Sequence, residues 1–453
     1  MEYYTRFSAQ ASLVPVGVRM RHMKVWWMIQ QKVHIAQKTI KYQPPDKLLD
    51  AFINILAGGH GLVEVNTRVR PDEGLQRAFG RQGCADQSTI SDTLNACTPE
   101  TVEQLRAVLQ ALYQVHSQGY HHAYDQRYQL LDVDVSGMPA GRQGEGVTKG
   151  YFSGQKNRRG RQLGRVVASW YDEIVVDRLY SGQTQLEQSL QDLVEASETV
   201  LELDEARRAR TVVRVDGGGG RDADVNWLLE RGYCILIKVK NWQRATKLSR
   251  SVRSWVADPK TGEREVGWVE QPHAYNRPTR QLAMRSRLRD GTWHHRVLVL
   301  NLPDALLFEL AGEAMPTAAT PEQLGLAALH AYDQRGGGVE TSLKGSKQGL
   351  GLTQRNKHRM AAQEMLVLLA QLAYNLLTWT RQQLAAYSPR LGKFGPLRMV
   401  RDLFHIPGRL RFDSEGHLLE ITLSDKHELA LPLVQAVSSL LAQDGTALNL
   451  GQI

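Results

Sequence analysis

Leu131-Asp132-Val133-Asp134-Val135-Ser136-Gly137 is the stretch on which the fold turns. Apolar and polar residues alternate strictly through it. Leu131, Val133 and Val135 point to one side, and Asp132, Asp134 and Ser136 to the other, which predicts a strand over 128–136. Alternation does not choose between Asp132 and Asp134, because both lie on one face. A second stretch, Val212-Val213-Arg214-Val215-Asp216-Gly217-Gly218, has the same character: a short apolar strand ends on an aspartate and runs into glycines as far as Gly220. Carboxylates at the C-terminal ends of buried strands stand where ligand sites of α/β sheets form, and glycines let a ligand or backbone come close. An aspartate before a glycine is also ordinary turn chemistry. It is the two together, in this strand order, that point to a site, and oxygen donors of this type suit a hard divalent cation.

Working outward, the runs 163–170 and 174–180 predict two more strands, joined by Tyr171-Asp172-Glu173. Helical patterns cover 183–200, 204–210 and 222–231, and strands cover 211–216 and 233–240. The first three strands can pair as a meander, and the last two form a strand-helix-strand unit. Beyond 241 the runs 266–270, 280–287 and 295–300, between arginine-rich turns, predict a β-rich insertion. Helix returns near 321 and dominates to 386. The tail predicts a hairpin from Arg409-Leu410-Arg411-Phe412 and 418–423, then a short helix near 433–441 behind Pro432. Upstream, 1–44 is irregular in pattern and 45–117 is helical. Starts are expected at Asp46, at Ser88, and at Thr98 with Pro99 in the first helical position. Arg68, Arg70, Arg77 and Arg81 beside tight turns fit either a DNA-reading domain or a helical bundle with solvated arginines.

The 453 residues suffice for two or three domains, and 42% hydrophobic with 23% charged residues is a normal globular mixture. A net charge of +9 is a mild push towards a polyanionic partner. Cys84, Cys97 and Cys234 contain no CxxC, so neither a disulfide framework nor a zinc site is expected, and a reducing cytoplasm fits. No signal peptide is expected, since the apolar run 24–29 is too short. The apolar segment 365–379 carries a polar stripe of Glu364, Gln371, Asn375 and Thr378 at helical spacing, which predicts a core helix rather than a membrane span. His121-His122 and His294-His295 lack zinc-ligand spacing. Lys156, Arg158, Arg159, Arg161 and Arg165 make one cationic stretch. Arg277, Arg280, Arg285, Arg287 and Arg289, near Trp268 and Trp293, make another. Both are expected to track a DNA backbone with salt-dependent affinity.

A third acidic candidate is Glu340, in Tyr332-Asp333-Gln334-Arg335-Gly336-Gly337-Gly338-Val339-Glu340, followed by Lys344 and Lys347 on the same helical face. By spacing alone this is a solvated ion-pair face. Taken in order, however, the three blocks resemble the DDE transposases of bacterial insertion sequences. The first block of that family is an aspartate followed two residues later by Ser or Thr. Asp134 with Ser136 matches and Asp132 does not, so the resemblance selects Asp134. The second block is matched by Arg214-Val215-Asp216-Gly217-Gly218. The third is a Tyr, Arg, Glu, Lys signature with two, three and six intervening residues. Tyr332 and Arg335 have that spacing, and Lys347 follows Glu340 after six, but Glu340 follows Arg335 after four, with the extra residue inside Gly336-Gly337-Gly338. The likeness covers about 45–425.

The resemblance implies an α/β fold: a ribonuclease H-like mixed sheet flanked by helices, interrupted by a β-rich insertion, with a helical N-terminal domain. The expected boundaries are 1–120 for a helical DNA-binding region, 121–240 for the first part of the core, 241–305 for the insertion, 306–390 for the helical second part carrying Glu340, and 391–453 for the tail. It further implies metal-dependent DNA strand cleavage and strand transfer at insertion-sequence ends. Asp134, Asp216 and Glu340 would hold two Mg²⁺ or Mn²⁺ ions roughly 4 Å apart. Tyr332, Arg335 and Lys347 would grip DNA phosphates, with Arg158, Arg159 and Arg161 along the backbone. The implied partners are double-stranded DNA, both terminal inverted repeats and target, and a second copy of the chain as a homodimer on DNA, with no membrane. The implied location is the bacterial cytoplasm at the nucleoid. Two rivals share the residues: a ribonuclease H-like nuclease without strand transfer, and a decayed or repurposed DNA-binding relative, which the extra residue before Glu340 favours.

Overall fold

A computed structural model describes residues 3–38, 41–152, 155, 158–443 and 445–453, so Lys156 of the first cationic stretch lies outside the described residues. The chain forms two compact units. One comprises Gln118–Met138 and Thr148–Ser342, the other Met1–Ser117, Pro139–Val147 and Leu343–Ile453. The strands run from β1 (Tyr3–Ser8) through β2 (Gln129–Pro139), β3 (Thr148–Lys149), β4 (Arg159–Ala168), β5 (Glu173–Ser181), β6 (Thr211–Val215), β7 (Cys234–Lys238), β8 (Val256–Ala257), β9 (Arg264–Trp268), β10 (Arg280–Arg287) and β11 (Trp293–Leu300) to β12 (Gly408–Asp413), β13 (Leu418–Ser424) and β14 (Ala447–Gly451).

The unit that carries Asp134 and Asp216 holds one mixed sheet in the order β3-β4-β2-β6-β7-β11-β10-β9-β8, with β5 also on β4; Asp134 lies in the middle of β2, which runs on to Pro139, and Asp216 directly after β6. β2 is parallel to β6 and β6 to β7, and the helix connecting β6 to β7 is Asp222–Glu230, as a strand-helix-strand unit requires. β4 and β5 are antiparallel across the turn at 171–172. Alternation in the meander holds a buried cross-strand pair: Arg165 faces Asp177 and donates to both of its carboxylate oxygens at 2.7 Å.

The segment from 241 to 305 does not stand apart as an insertion. It opens with a helix, Trp242–Ser249, and its strands continue the sheet, because β11 pairs antiparallel with β7. The physical reason lies in β11: Val297 to Leu300 are wholly buried, an apolar edge that sheet pairing satisfies. One sheet face is covered by helices Asp304–Ala311 and Pro321–Asp333, packed on Leu130, Val212, Leu236, Leu282 and Leu298.

In the other unit, the stretch 1–44 is ordered rather than irregular: β1 is followed by helices Val14–His22 and Val25–Lys32. The expected separation of an N-terminal domain from a C-terminal tail does not hold either. β1 pairs with β12, and the sheet order is β1-β12-β13-β14, so both ends of the chain build one body. The expected hairpin is β12 with β13, and the final helix is Ala430–Gln443. Thr98 caps helix Pro99–His116 through the Thr101 amide at 3.3 Å. Asp86, not Ser88, caps the helix before it, since a carboxylate oxygen reaches the Ser88 and Thr89 amides. Helix Met360–Ala385 is long and apolar enough to cross a membrane, but 89% of its most apolar window is buried inside the protein. Glu364 of its polar stripe is paired with Arg106 of helix Pro99–His116.

Candidate active site

Strand register decides where the chemistry-bearing side chains meet. Val133 pairs with Val215, and Val215 with Ile237. One residue further along three parallel strands come Asp134, Asp216 and Lys238, all on the face that also carries Asp132, Arg214 and Leu236. They form a row from the middle of β2 to the C-terminal ends of β6 and β7, beside the end of helix Pro321–Asp333.

One rung below, Asp132 and Arg214 are spent on each other. Arg214 donates through Nε to Asp132 Oδ1 at 2.6 Å and through Nη2 to Oδ2 at 2.7 Å, with both side chains essentially inaccessible. Ser169 Oγ also donates to Asp132, and the third guanidinium nitrogen of Arg214 donates to the Ala331 carbonyl. That last bond ties the end of helix Pro321–Asp333 to the sheet and brings Tyr332 and Arg335 over the aspartate row.

Asp134 accepts from its neighbour's amide, Val135 N, at 2.7 Å, and Asp216 from Gly218 N at 2.7 Å, which caps the tight turn Gly217–Gly219. The next glycine is needed for packing: a Cβ on Gly220 would lie 2.0 Å from the Lys238 carbonyl oxygen. Arg335, only 5% exposed, is the hub of the cluster. Its Nη2 lies 3.0 Å from Asp134 Oδ2 and 3.2 Å from the Val133 carbonyl, and its Nη1 lies 3.0 Å from Glu340 Oε1. Its Nε is buried without an acceptor. Burial pushes the Asp134 carboxyl above the usual range; Arg335 pulls it down and Asp216 raises it further. Burial opposes the charge on Arg335, but Asp134, then Tyr332 and Asp216, hold its pKa above the ordinary value. Burial raises the Tyr332 hydroxyl, with Arg335 opposing and the carboxylates of Asp216, Asp134 and Glu340 adding to the rise.

The extra residue between Arg335 and Glu340 is taken up locally. Helix Pro321–Asp333 tightens into a 3₁₀ turn over Gln334–Gly337 before helix Val339–Gln348 starts, and Arg335 still reaches Glu340. The three glycines are not equivalent. A Cβ on Gly338 would lie 2.4 Å from Asp132 Oδ2 and 2.9 Å from Ser169 Oγ, whereas one on Gly336 or Gly337 would meet nothing within 4 Å. Gly338→Ala is therefore expected to cost about 1–3 kcal/mol and to displace the turn that carries Arg335 and Glu340. Gly336→Ala is expected to stay within ~1 kcal/mol of the parent. Thermal unfolding of the two variants checks this; equal loss in both would show that the close approach to Asp132 is not what limits Gly338.

Asp134, Asp216 and Glu340 thus share one electrostatic cluster, but a guanidinium stands between Asp134 and Glu340. Among the described residues no three His, Cys, Asp or Glu side chains are grouped to hold one metal ion. The donor chemistry, carboxylate oxygen throughout, suits a hard divalent cation, and a cationic group already occupies the space between two of the donors.

The remaining expected residues are dispersed. Lys347 lies seven residues beyond Glu340 on the same helix and is partly buried. Arg158 is exposed and donates to Gln155, and Arg159 is partly exposed. Arg161 is 1% exposed and Arg165 fully buried, so neither faces a DNA backbone in this conformation: both lie within β4, whose residues from Gly160 to Ala168 are all buried. Arg81 is likewise withdrawn, paired with Asp50 at 2.8 Å. In the second cationic stretch, Arg280 is paired with Asp304 at 2.6 Å, and Arg285 is paired with Glu265 and lies over Trp255 and Trp293. Of His121-His122, His122 bonds the Tyr171 hydroxyl and the Arg127 carbonyl side. Two participants escaped the sequence reading, Lys238 and Ser169, and Arg214 was read only as part of the second motif block, without a partner. Arg214 and Lys238 had a signal, since a lone cation on the carboxylate face of an apolar strand needs a partner when buried.

The sequence profile described as "Transposase DDE domain group 1" matches residues 8–440. No curated protein matches the chain. Among solved structures, the cryo-EM structure of a piggyBac transposase synaptic complex with hairpin DNA is similar with a TM-score of 0.47 at 10% identity, covering 88% of this chain and 82% of that one. At that level the likeness adds nothing to the family match.

Proposed function

We propose, from the premise that the chain belongs to the DDE transposases and is a DNA transposase, an enzyme that cleaves and transfers DNA strands, that Asp134, Asp216 and Glu340 are its catalytic carboxylates. The observation that carries this reading is the register row that sets Asp134 beside Asp216, with Arg335 bridging to Glu340. The strand order β5-β4-β2-β6-β7, a meander followed by parallel strands, supports a ribonuclease H-like core.

Asp134, Asp216 and Glu340 would hold the divalent ions this family uses, Mg²⁺ or Mn²⁺, as a pair. Bound ions of this kind activate the attacking oxygen and stabilise the leaving oxygen at phosphorus. The protein's own part is positional. The strands fix both aspartates, Asp134 within β2 and Asp216 just after β6, the Gly218 amide orients Asp216, and burial around Asp134 strengthens its interaction with any cation. Arg335 is a planar fork with an unused donor, suited to pass from the carboxylates to a DNA phosphate. Tyr332 and Lys347, with Arg158 and Arg159, are the further phosphate contacts of this reading, and the helical N-terminal residues carry DNA recognition. Duplex DNA with element ends and target, a homodimer pairing two ends, and a bacterial, nucleoid-associated setting complete it.

The test is cleavage of duplex DNA carrying the element's ends, with Mg²⁺, with Mn²⁺, and with EDTA. Nicking is expected with either ion and none in EDTA. Undiminished nicking in EDTA would overturn the carboxylate mechanism.

A further inference from the structure

Beside the aspartate row, on the same sheet face, the structure holds a cluster of cations that the carboxylate mechanism does not use. Lys238 ends β7 in line with Asp134 and Asp216. Lys238 is opposite Leu298 of β11, so Arg296 and His294, two and four residues earlier, project from the same face. The register continues across β10: Arg296 is opposite Met284, and His294 opposite Ser286. These side chains, with Tyr332 and Asp333, line a small cavity of about 70 Å³.

The other two arginines of this cavity are already satisfied. Arg264 is held by Asp258 and Asp333, and Arg285 by Glu265. Lys238 is different. It is half-buried, makes no hydrogen bond or ion pair among the described residues, and has the Tyr332 ring 5.8 Å from its Nζ. Arg296 is exposed and also makes no hydrogen bond or ion pair among the described residues. The charges strain one another. Burial lowers the Lys238 pKa, Asp216 partly restores it, and Arg296 and Arg335 lower it further. His294 is held below its usual value by burial, then by Arg296 and Lys238. An anion in the cavity would relieve all three, since Asp333, a carboxylate that lines it, is already engaged by Arg264, and Asp216 and Glu340 only partly restore the Lys238 charge.

We propose that Lys238, Arg296 and His294 form a subsite for one phosphodiester group of the DNA strand that enters the carboxylate site. A phosphate there lies next to Asp216 in the row, so the subsite would fix the strand's register relative to the reacting phosphate. Lys238 supplies a point charge from a stiff strand, Arg296 a fork from the solvent side, and His294 a ring N–H donor. The proposal rests on the DNA-transposase reading and names a contact within it.

The experiment measures binding of a fluorescent duplex of mixed sequence to the full chain in EDTA, over a series of NaCl concentrations. Lys238→Met keeps the aliphatic stem, and Arg296→Gln alters an exposed residue, so a folded protein is expected from at least the second. Each substitution is expected to reduce the slope of log affinity against log salt by about one, and the double variant by about two. Lys426→Gln, an exposed residue just beyond β13 and outside the sheet that carries the cavity, serves as the control and is expected to leave the slope as it is. Unchanged slopes in Arg296→Gln and in folded Lys238→Met would overturn the subsite. So would a result in which inorganic phosphate at matched ionic strength shields Lys238 from acylation while the duplex does not, because the cavity would then take free phosphate. Binding in EDTA is independent of cleavage, so failure here leaves the carboxylate assignment untouched, and failure of that assignment in the cleavage assay leaves these slopes interpretable.

Discussion

Asp216→Ala is expected to lower metal-dependent cleavage of end-containing DNA by roughly 10²–10³-fold or more, the scale of removing one preorganised charged group from an active site. The side chain ends a fully buried strand, and one of its oxygens is pinned by the Gly218 amide at 2.7 Å, so the carboxylate is presented in one orientation beside Asp134. Truncation removes both oxygen donors from the middle of the row. It also removes the cap of the turn Gly217–Gly219, which costs about 1 kcal/mol of stability. A small loss of stability with a large loss of cleavage is therefore the expected signature. Cleavage equal to that of the parent would remove Asp216 from the site. Asp216→Asn separates the two effects, since the amide oxygen can still accept from Gly218 N while the charge is gone.

Arg214→Met is expected to be the most damaging substitution for stability near the site, at about 3–5 kcal/mol, because it leaves the Asp132 carboxylate buried without its partner. Both side chains are inaccessible and joined by two short hydrogen bonds, so no solvent screening softens the loss. Arg214 also holds the Ala331 carbonyl, so the helix end that carries Tyr332 and Arg335 loses an anchor. At roughly 2–4 °C per kcal/mol for a unit of this size, the melting temperature should fall by about 6–20 °C. The double variant Asp132→Leu with Arg214→Met is expected to recover much of that stability, because two apolar side chains replace a desolvated ion pair. It should nonetheless remain poor in cleavage, since Gly338 packs against the Asp132 carboxylate and the helix anchor is still missing. A double variant no more stable than Arg214→Met would show that the pair acts through specific hydrogen bonds rather than through charge balance.

The strands around the site were legible because a strand's side chains alternate covalently, whatever the rest of the chain does. The period over 128–136 and the apolar run before Asp216 correspond to β2 and β6. The chain order of Tyr332, Arg335 and Glu340 was legible as well, but not the means by which the extra residue is absorbed. That depends on a 3₁₀ turn and on Gly338 fitting against an oxygen of Asp132, a residue more than two hundred positions away in sequence. The cationic stretches were read as tracks for a DNA backbone, because no protein partner is visible within them. Arg165 finds Asp177 only because β4 and β5 pair in one particular register, and Arg81 finds Asp50 across a turn between helices.

What the sequence determined by itself is therefore local and periodic: the strands, their carboxylate-bearing face, the glycine turn after Asp216, the helix started by Thr98 and Pro99, and the ordered motif set of a DDE transposase. What only the tertiary structure decided is which charges are spent and which are left over. Asp132 and Asp134 share a face and a neighbourhood, yet Asp132 is neutralised by Arg214 from the adjacent strand while Asp134 meets Arg335. The segment from 256 to 300 became part of the main sheet because the buried edge of β11 pairs with β7, and that pairing brought Arg296 and His294 alongside Lys238. Burial makes an unpartnered charge expensive, so partners are chosen by the packing of distant strands, and no window of sequence contains that choice.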